Sequence, residues 1–243
     1  MTHVLVLGGT TEASALCAAL AEAGIPATLS YMGRVDRPKP QPIPVRIGGF
    51  GGVPGLVAYL HQHQITHLVD ATHPFAAQMS TNAVLATRET GTPLLALTRP
   101  AWQPGPGDRW RSVPDMAAAV AALIGPAQNV MLAIGRMHLA EFAAQPQHHY
   151  LLRLVDAPVQ TPPLPHHTVV VDRGPFSAEA DRALMLHHRI DLVVSKNAGG
   201  TGSVSKLEAA RALGLPVLMI DRPDLPPRAQ VHDTAAVLDW LRR

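Results

Sequence analysis

The chain has 243 residues, 47 % hydrophobic and 16 % charged, which is enough interior for one large or two small domains and too apolar for disorder. Its formal charge of +2 is spread evenly, with no Lys/Arg run longer than two, so it offers no basic face to nucleic acid. No apolar run approaches the ~18 residues of a membrane span, and the single cysteine, Cys17, excludes an intrachain disulfide or a cysteine-based metal cluster.

The sequence opens directly into an apolar strand with no charged leader, which predicts a cytoplasmic protein. Short apolar strands then alternate with Ala/Leu-rich helical segments, the βαβ pattern of a parallel sheet covered on both faces. In the first half the pattern predicts strands at 3–7, 27–31, 43–47, 67–71 and 94–98, with helices near 11–23, 53–63 and 76–90. Three prolines and a glycine in residues 100–106 interrupt it and mark a linker. Beyond it a helix is expected near 114–124 and strands near 129–135, 150–155, 167–172, 190–195 and 216–220. A last helix runs from Thr234 to Arg242, capped by Asp233 or Thr234. The economical architecture is α/β, with two Rossmann-like lobes of parallel sheet, 1–100 and 107–243, and an inter-lobe cleft at the strands' carboxyl ends.

The first loop is Gly8-Gly9-Thr10-Thr11-Glu12, placed between a strand and a helix. Its backbone N–H groups and the helix dipole suit a nucleotide phosphate, although Ala13 replaces the third glycine of the dinucleotide fingerprint. An ordinary tight strand–helix turn is the alternative. The second strand ends in Ser30-Tyr31-Met32-Gly33-Arg34, without the acid that binds an NAD ribose. Ser30, Gly33 and Arg34 instead suit the 2′-phosphate of NADPH, unless Arg34 is simply a solvated loop residue.

Four glycines in 48–52 surround Phe50. Gly49, Phe50 and Gly51 are cofactor candidates, or else part of a flexible loop. Asp70 to Ala76 closes strand four, with Pro74 suited to a first helical turn. Thr72 is expected at the cofactor. His73 is a proton-transfer or carboxylate-binding candidate beside Pro74 and Phe75. Arg99 and Trp102 follow strand five as an anion contact and an apolar wall.

In the second half, Ser195-Lys196-Asn197-Ala198-Gly199-Gly200-Thr201-Gly202 follows an apolar strand. Only three lysines occur against seventeen arginines, and Lys196 and Lys206 flank this loop. It lacks the Walker A string, and it reads as an anion- or carboxylate-binding loop with Lys196 a catalytic candidate. Arg136 ends an earlier strand and also reads as a carboxylate contact. The adjacent histidine pairs at 148–149, 166–167 and 187–188 diverge, and no metal site is expected. No nucleophile elbow or triad context supports acyl transfer.

In this order, VLGGTTEA (6–13), SYMGR (30–34), GGFGG (48–52), DATHPFA (70–76), RPAW (99–102) and SKNAGGTG (195–202) resemble the precorrin-6A reductases of cobalamin biosynthesis, cobalt-precorrin-6A reductases included. The resemblance spans nearly the whole chain. Ala198 stands where Ser is equally expected, and Tyr31-Met32 is a variable stretch. It implies NADPH-dependent reduction of one double bond in a corrin precursor, cobalt-free or cobalt-bearing, with a proton delivered to the neighbouring carbon. The implied partner is a small polycarboxylate tetrapyrrole. Arg99, Arg136, Lys196 and His73 are suited to its carboxylates, and Phe50, Phe75 and Trp102 to its ring faces. Ser195, Asn197, Gly199, Gly200 and Thr201 would complete that substrate side. Two other readings stand beside this one: another Rossmann-type enzyme, and an NADPH-sensing regulator without turnover. The short-chain reductase Tyr-x-x-x-Lys pair is missing.

Overall fold

The computed structural model describes residues 2–32, 40–172, 174 and 176–243. They form two compact units, one comprising the chain up to Pro100 together with Asp224–Arg243, the other Ala101–Pro223. The expected second lobe, 107–243, therefore ends early. The last twenty residues return to the first unit because their apolar face completes its core.

In the first unit, β1 (Val4–Leu7) is buried along its whole length, as a central strand covered on both faces must be. Helix α1 (Thr11–Glu22) starts at Thr10, whose hydroxyl accepts from the Ala13 N–H. It buries Ala13, Leu16, Cys17 and Leu20, one stripe at helical spacing. Burial pushes the Cys17 thiol up to about 11, so it behaves as a small core residue.

Strands β2 (Ala27–Tyr31), β3 (Val45–Ile47), β4 (His67–Asp70) and β5 (Leu94–Leu97) follow, with α2 (Val53–Gln62) and α3 (Ala77–Thr90) between them. After the excursion through the second unit come β12 (Gln230–Val231) and α7 (Thr234–Leu241). The sheet is parallel, in the order β12-β5-β4-β1-β2-β3, which is the dinucleotide-binding order with its reversal between β1 and β4. One face packs on α1 and α7, where Val237 and Leu241 join Leu16 and Leu20; the other packs on α2 and α3.

The second unit contains β6 (Arg109–Val113), α4 (Met116–Ala121), β7 (Asn129–Ala133), a 3₁₀ segment (Arg136–Ala144), β8 (His149–Leu154) and β9 (His167–Val171). Then come α5 (Ala178–His187), β10 (Leu192–Lys196), α6 (Ser205–Leu213) and β11 (Pro216–Ile220). Its parallel sheet runs β6-β11-β10-β7-β8-β9, the same order with β7 in the place of β1. The sixth position differs between the units. In the first it is filled by the strand after β11, and in the second by the strand after β5. Among the described residues, no helix is long and apolar enough to cross a membrane.

Candidate functional site

Strand register decides which loops leave the first sheet together. Leu7 pairs with both Ser30 and Asp70, so the loops at 8–10, 31–32 and 71–73 emerge side by side at the carboxyl edge. At the reversal, the Thr10 hydroxyl donates to the Ala71 carbonyl (2.8 Å), tying the glycine loop to the end of β4. Thr10 also caps Ala13, and Ser14 N–H returns to the Thr10 carbonyl (3.2 Å). Among the described residues, the first two helical N–H groups, those of Thr11 and Glu12, remain as the orphan donors of the turn, where the dipole favours an anion.

Gly8 lies so close to β2 that a Cβ there would stand 2.4 Å from Leu29 Cδ1 and 3.4 Å from Ala13 Cβ. Above Gly9 a Cβ would meet nothing within 4 Å. The loop is therefore pressed onto the sheet on one side and open on the other, the form a backbone phosphate cradle requires. Glu12, in the first turn, is partnered by the Arg99 guanidinium (3.5 Å) and by the Thr11 hydroxyl (3.1 Å).

Asp70 is buried. Its Oδ1 accepts from the backbone N–H (3.1 Å) and hydroxyl (2.7 Å) of Thr72, and its Oδ2 from the Ser80 hydroxyl (2.6 Å), with Arg228 at 3.4 Å. Thr72 is thus fixed by the strand that precedes it. Pro74 does not begin a helix, as expected from sequence. It sits inside a turn closed by Ala76 N–H to His73 C=O (2.7 Å), with α3 starting at Ala77. Proline's fixed φ serves the second position of such a turn equally well. The Phe75 N–H donates to His73 Nδ1 (3.2 Å), so that nitrogen is an acceptor and the neutral ring carries its proton on Nε2. The two rings lie 5.8 Å apart.

Beyond β3, Gly48 N–H donates to Tyr31 C=O (2.8 Å), laying the 48–52 loop along the end of β2. Phe50 folds back, edge-on to Tyr59 of α2 (5.2 Å), with Arg46 of β3 over its face at 3.8 Å. This fit needs Gly55: a Cβ there would lie 1.6 Å from the Phe50 carbonyl oxygen. Arg46 was not singled out by the sequence reading, although its place opposite Ser30 in the β2–β3 register brings it to the same corner. Gly33 and Arg34 lie outside the described residues.

In the second unit, Ser195 pairs with Ala133, so Lys196 and the Ile134-Gly135-Arg136 segment leave the sheet side by side at its reversal. The rest of the 195–202 loop is largely committed to its own unit. Ser195 is fully buried and donates to the Lys196 carbonyl (3.2 Å). The Asn197 amide makes a reciprocal pair with the Trp102 backbone, accepting from its N–H (2.8 Å) and donating to its C=O (3.0 Å). Trp102 Nε1 donates to Gly200 C=O (2.8 Å), and the buried Lys206 ammonium stands 4.8 Å over the indole while donating to Ser203 C=O (2.5 Å). Arg222 holds the carbonyls of Asn197 and Ala198. Gly199 (φ +71) belongs to this turn, and Thr201 is exposed at its tip. Sequence alone did not register Arg153, near the end of β8. It is 11 % exposed, ion-paired with the fully buried Asp181, 3.9 Å from Asp172 and stacked on Phe176 at 4.3 Å. Asp181 also accepts from the Ser205 hydroxyl (2.7 Å).

The whole chain is similar to known proteins in sequence and in fold. The family model "Precorrin-6x reductase CbiJ/CobK" matches residues 3–242. The precorrin-6A reductase of Rhodobacter capsulatus is 55 % identical over 241 residues, covering 99 % of this chain and 96 % of that protein. That of Rhodococcus erythropolis is 46 % identical over 243 residues, covering 99 % and 98 %. A solved structure described as CobK precorrin-6A reductase superposes with a TM-score of 0.95 at 55 % identity, covering all of this chain and 96 % of the other.

Proposed function

The chain belongs to the precorrin-6x reductase CbiJ/CobK family, and on that premise we propose that it is an NADPH-dependent precorrin-6A reductase of cobalamin biosynthesis. In the reaction, hydride is added to one carbon of a ring double bond and a proton to its neighbour, giving the dihydro product precorrin-6B. The observation that carries the cofactor assignment is the Gly8–Thr10 loop, pressed onto β2 and open above Gly9, at the reversal of a sheet in dinucleotide-binding order.

NADPH would supply the hydride, and the residues of the first unit divide the work of holding it. Gly8, Gly9 and the N–H groups of Thr11 and Glu12 form the pyrophosphate cradle, with Thr10 fixing its shape. Arg99, a proposed anion contact for the substrate, also offsets the Glu12 carboxylate, which would otherwise repel a pyrophosphate. Ser30, Gly33, Arg34, Gly49, Phe50, Gly51 and Thr72 complete the cofactor side. His73 is suited either to a substrate carboxylate or to act as the source of the proton.

On the substrate side, Lys196 and Arg136 follow neighbouring strands at the reversal of the second sheet and are suited to acetate and propionate carboxylates of the ring. Lys196 is the other proton-donor candidate. Asn197 and Trp102 serve this side by shaping the 195–202 backbone, since the Asn197 amide is spent on the Trp102 backbone and the Trp102 indole N–H on the Gly200 carbonyl. Pro74, Phe75, Ser195, Gly199, Gly200 and Thr201 belong to the same proposal. A reducing, cytoplasmic setting suits a chain whose one thiol is buried.

The test is anaerobic incubation of the purified chain with NADPH and precorrin-6A, and in parallel with the cobalt-bearing ring. Loss of reduced-nicotinamide absorbance with the metal-free ring, with one equivalent consumed per dihydro product, is expected. No oxidation with either ring sinks the assignment.

A further inference from the structure

The corner formed by β2, β3 and the 48–52 loop holds a guanidinium that the reading above does not use. Arg46 Nη1 donates to the Ser30 hydroxyl (3.0 Å) and the Gly48 carbonyl (2.5 Å), and Nη2 to the Gly49 carbonyl (2.8 Å). Phe50 lies beneath its plane and Tyr59 flanks it at 5.2 Å. Three of its five N–H donors are thereby used, leaving Nε–H and one on Nη2. Every one of these partners is neutral. Among the described residues, no carboxylate pairs with Arg46.

The second unit provides an internal contrast. There a guanidinium also stacks on a phenylalanine just past the edge strand, Arg153 of β8 on Phe176 beyond β9. That one is neutralised, by Asp181 and by Asp172. A guanidinium thus stacks on a phenylalanine in both units, in the second with its charge cancelled by carboxylates and in the first, among the described residues, with no carboxylate beside it. A rigidly held cation that keeps its charge, with donors to spare, is an anion receptor. Its location narrows the anion. It stands at the end of β2, where a sheet of this order places the ribose of its dinucleotide, and it rests on Ser30 where an acid would select a 2′-hydroxyl.

We infer that Arg46, with Ser30, binds the 2′-phosphate of the cofactor and sets the preference for NADPH over NADH. The inference rests on the NADPH reading above. It adds to the 2′-phosphate side a residue twelve positions after Arg34, which the β2–β3 pairing brings to Ser30.

The experiment titrates the full chain with four ligands: NADPH, NADH, 2′,5′-ADP and 5′-AMP. Arg46→Gln is expected to weaken NADPH and 2′,5′-ADP by about 10- to 100-fold, the loss of charge-assisted hydrogen bonds, and to leave NADH and 5′-AMP unchanged. Because Arg46 also ties down two loop carbonyls, Ser30→Asp is the companion variant. It leaves Arg46 in place and cancels its charge, as Asp181 does for Arg153. It is expected to invert the preference toward NADH.

An Arg46→Gln protein that keeps the wild-type ratio overturns the assignment. So does an equal fall for all four ligands, since Arg46 would then only support the loop. A wild-type chain that binds NADPH and NADH alike removes the NADPH reading itself, and this assignment with it.

Discussion

Gly8 shows how much of the site depends on the absence of one atom. The Cβ of an alanine there would meet Leu29 Cδ1 at 2.4 Å, and Leu29 is fully buried in the core beneath α1. Overpacking of this kind costs about 1–3 kcal/mol, and the loop lifts away from the sheet as it is relieved. Gly8→Ala is therefore expected to lower the unfolding free energy measured in urea by that amount and to weaken NADPH and NADH together, since both share the pyrophosphate. A fluorescence titration of each cofactor checks it; a loss confined to one of them places the loop elsewhere on the ligand.

The glycines at this position were readable because strand, glycines and helix adjoin in sequence. Asn197, Trp102 and Arg46 were harder to place for the opposite reason. Whether an asparagine at a strand end faces a ligand or a distant backbone depends on a partner 95 residues away, and only folding brings Trp102 to it. Arg46 gains its meaning from Ser30 across a strand pair. No local pattern encodes that.

At the scale of elements, ten of the twelve strands were legible, the eight central ones because strands buried on both faces are apolar runs between glycine and proline signals. The two strands at the sixth position were not. β6 reads Arg-Trp-Arg-Ser-Val and β12 is two residues long, the charged or short form that edge strands take. Helix α5 escaped for a different reason: its buried stripe includes an aspartate. Asp181 is fully buried because Arg153 and Ser205 satisfy it, joining β8, α5 and α6 into one packed group. Removing one partner of such a buried pair leaves an uncompensated charge and costs about 3–5 kcal/mol. Asp181→Ala is expected to destabilise the chain on that scale, with the denaturant slope unchanged, and Asp181→Asn by less because it still accepts from Ser205. Equal stabilities for wild type and Asp181→Ala in urea unfolding contradict the pairing as a structural support.

At the scale of the whole chain, the path between the units is exchanged rather than sequential. After β5 the chain leaves to supply β6 of the second sheet, and only after β11 does it return to supply β12 of the first. The sequence reading cut the chain once, at residues 100–107, because a proline-rich stretch marks a linker and nothing local marks a return. The return is nonetheless substantial. Gln230 and Val231 pair with Ala96 and Leu97, Val237 is fully buried against α1 with Leu241 beside it, and Arg228 reaches Asp70 at the carboxyl end of β4. The cofactor loop at residues 8–12 is therefore supported by residues more than 200 positions away.

A chain ending at Pro223 retains every proposed cofactor-binding residue yet exposes one apolar face of the first sheet and removes the Arg228 partner of a buried carboxylate. It is expected to lose NADPH binding and the cooperative unfolding of the first unit, and to regain binding in part when residues 224–243 are supplied as a separate peptide. Wild-type NADPH affinity in the shortened chain would mean that residues 1–100 fold unaided. The cofactor site would then need only the segment that its motifs occupy.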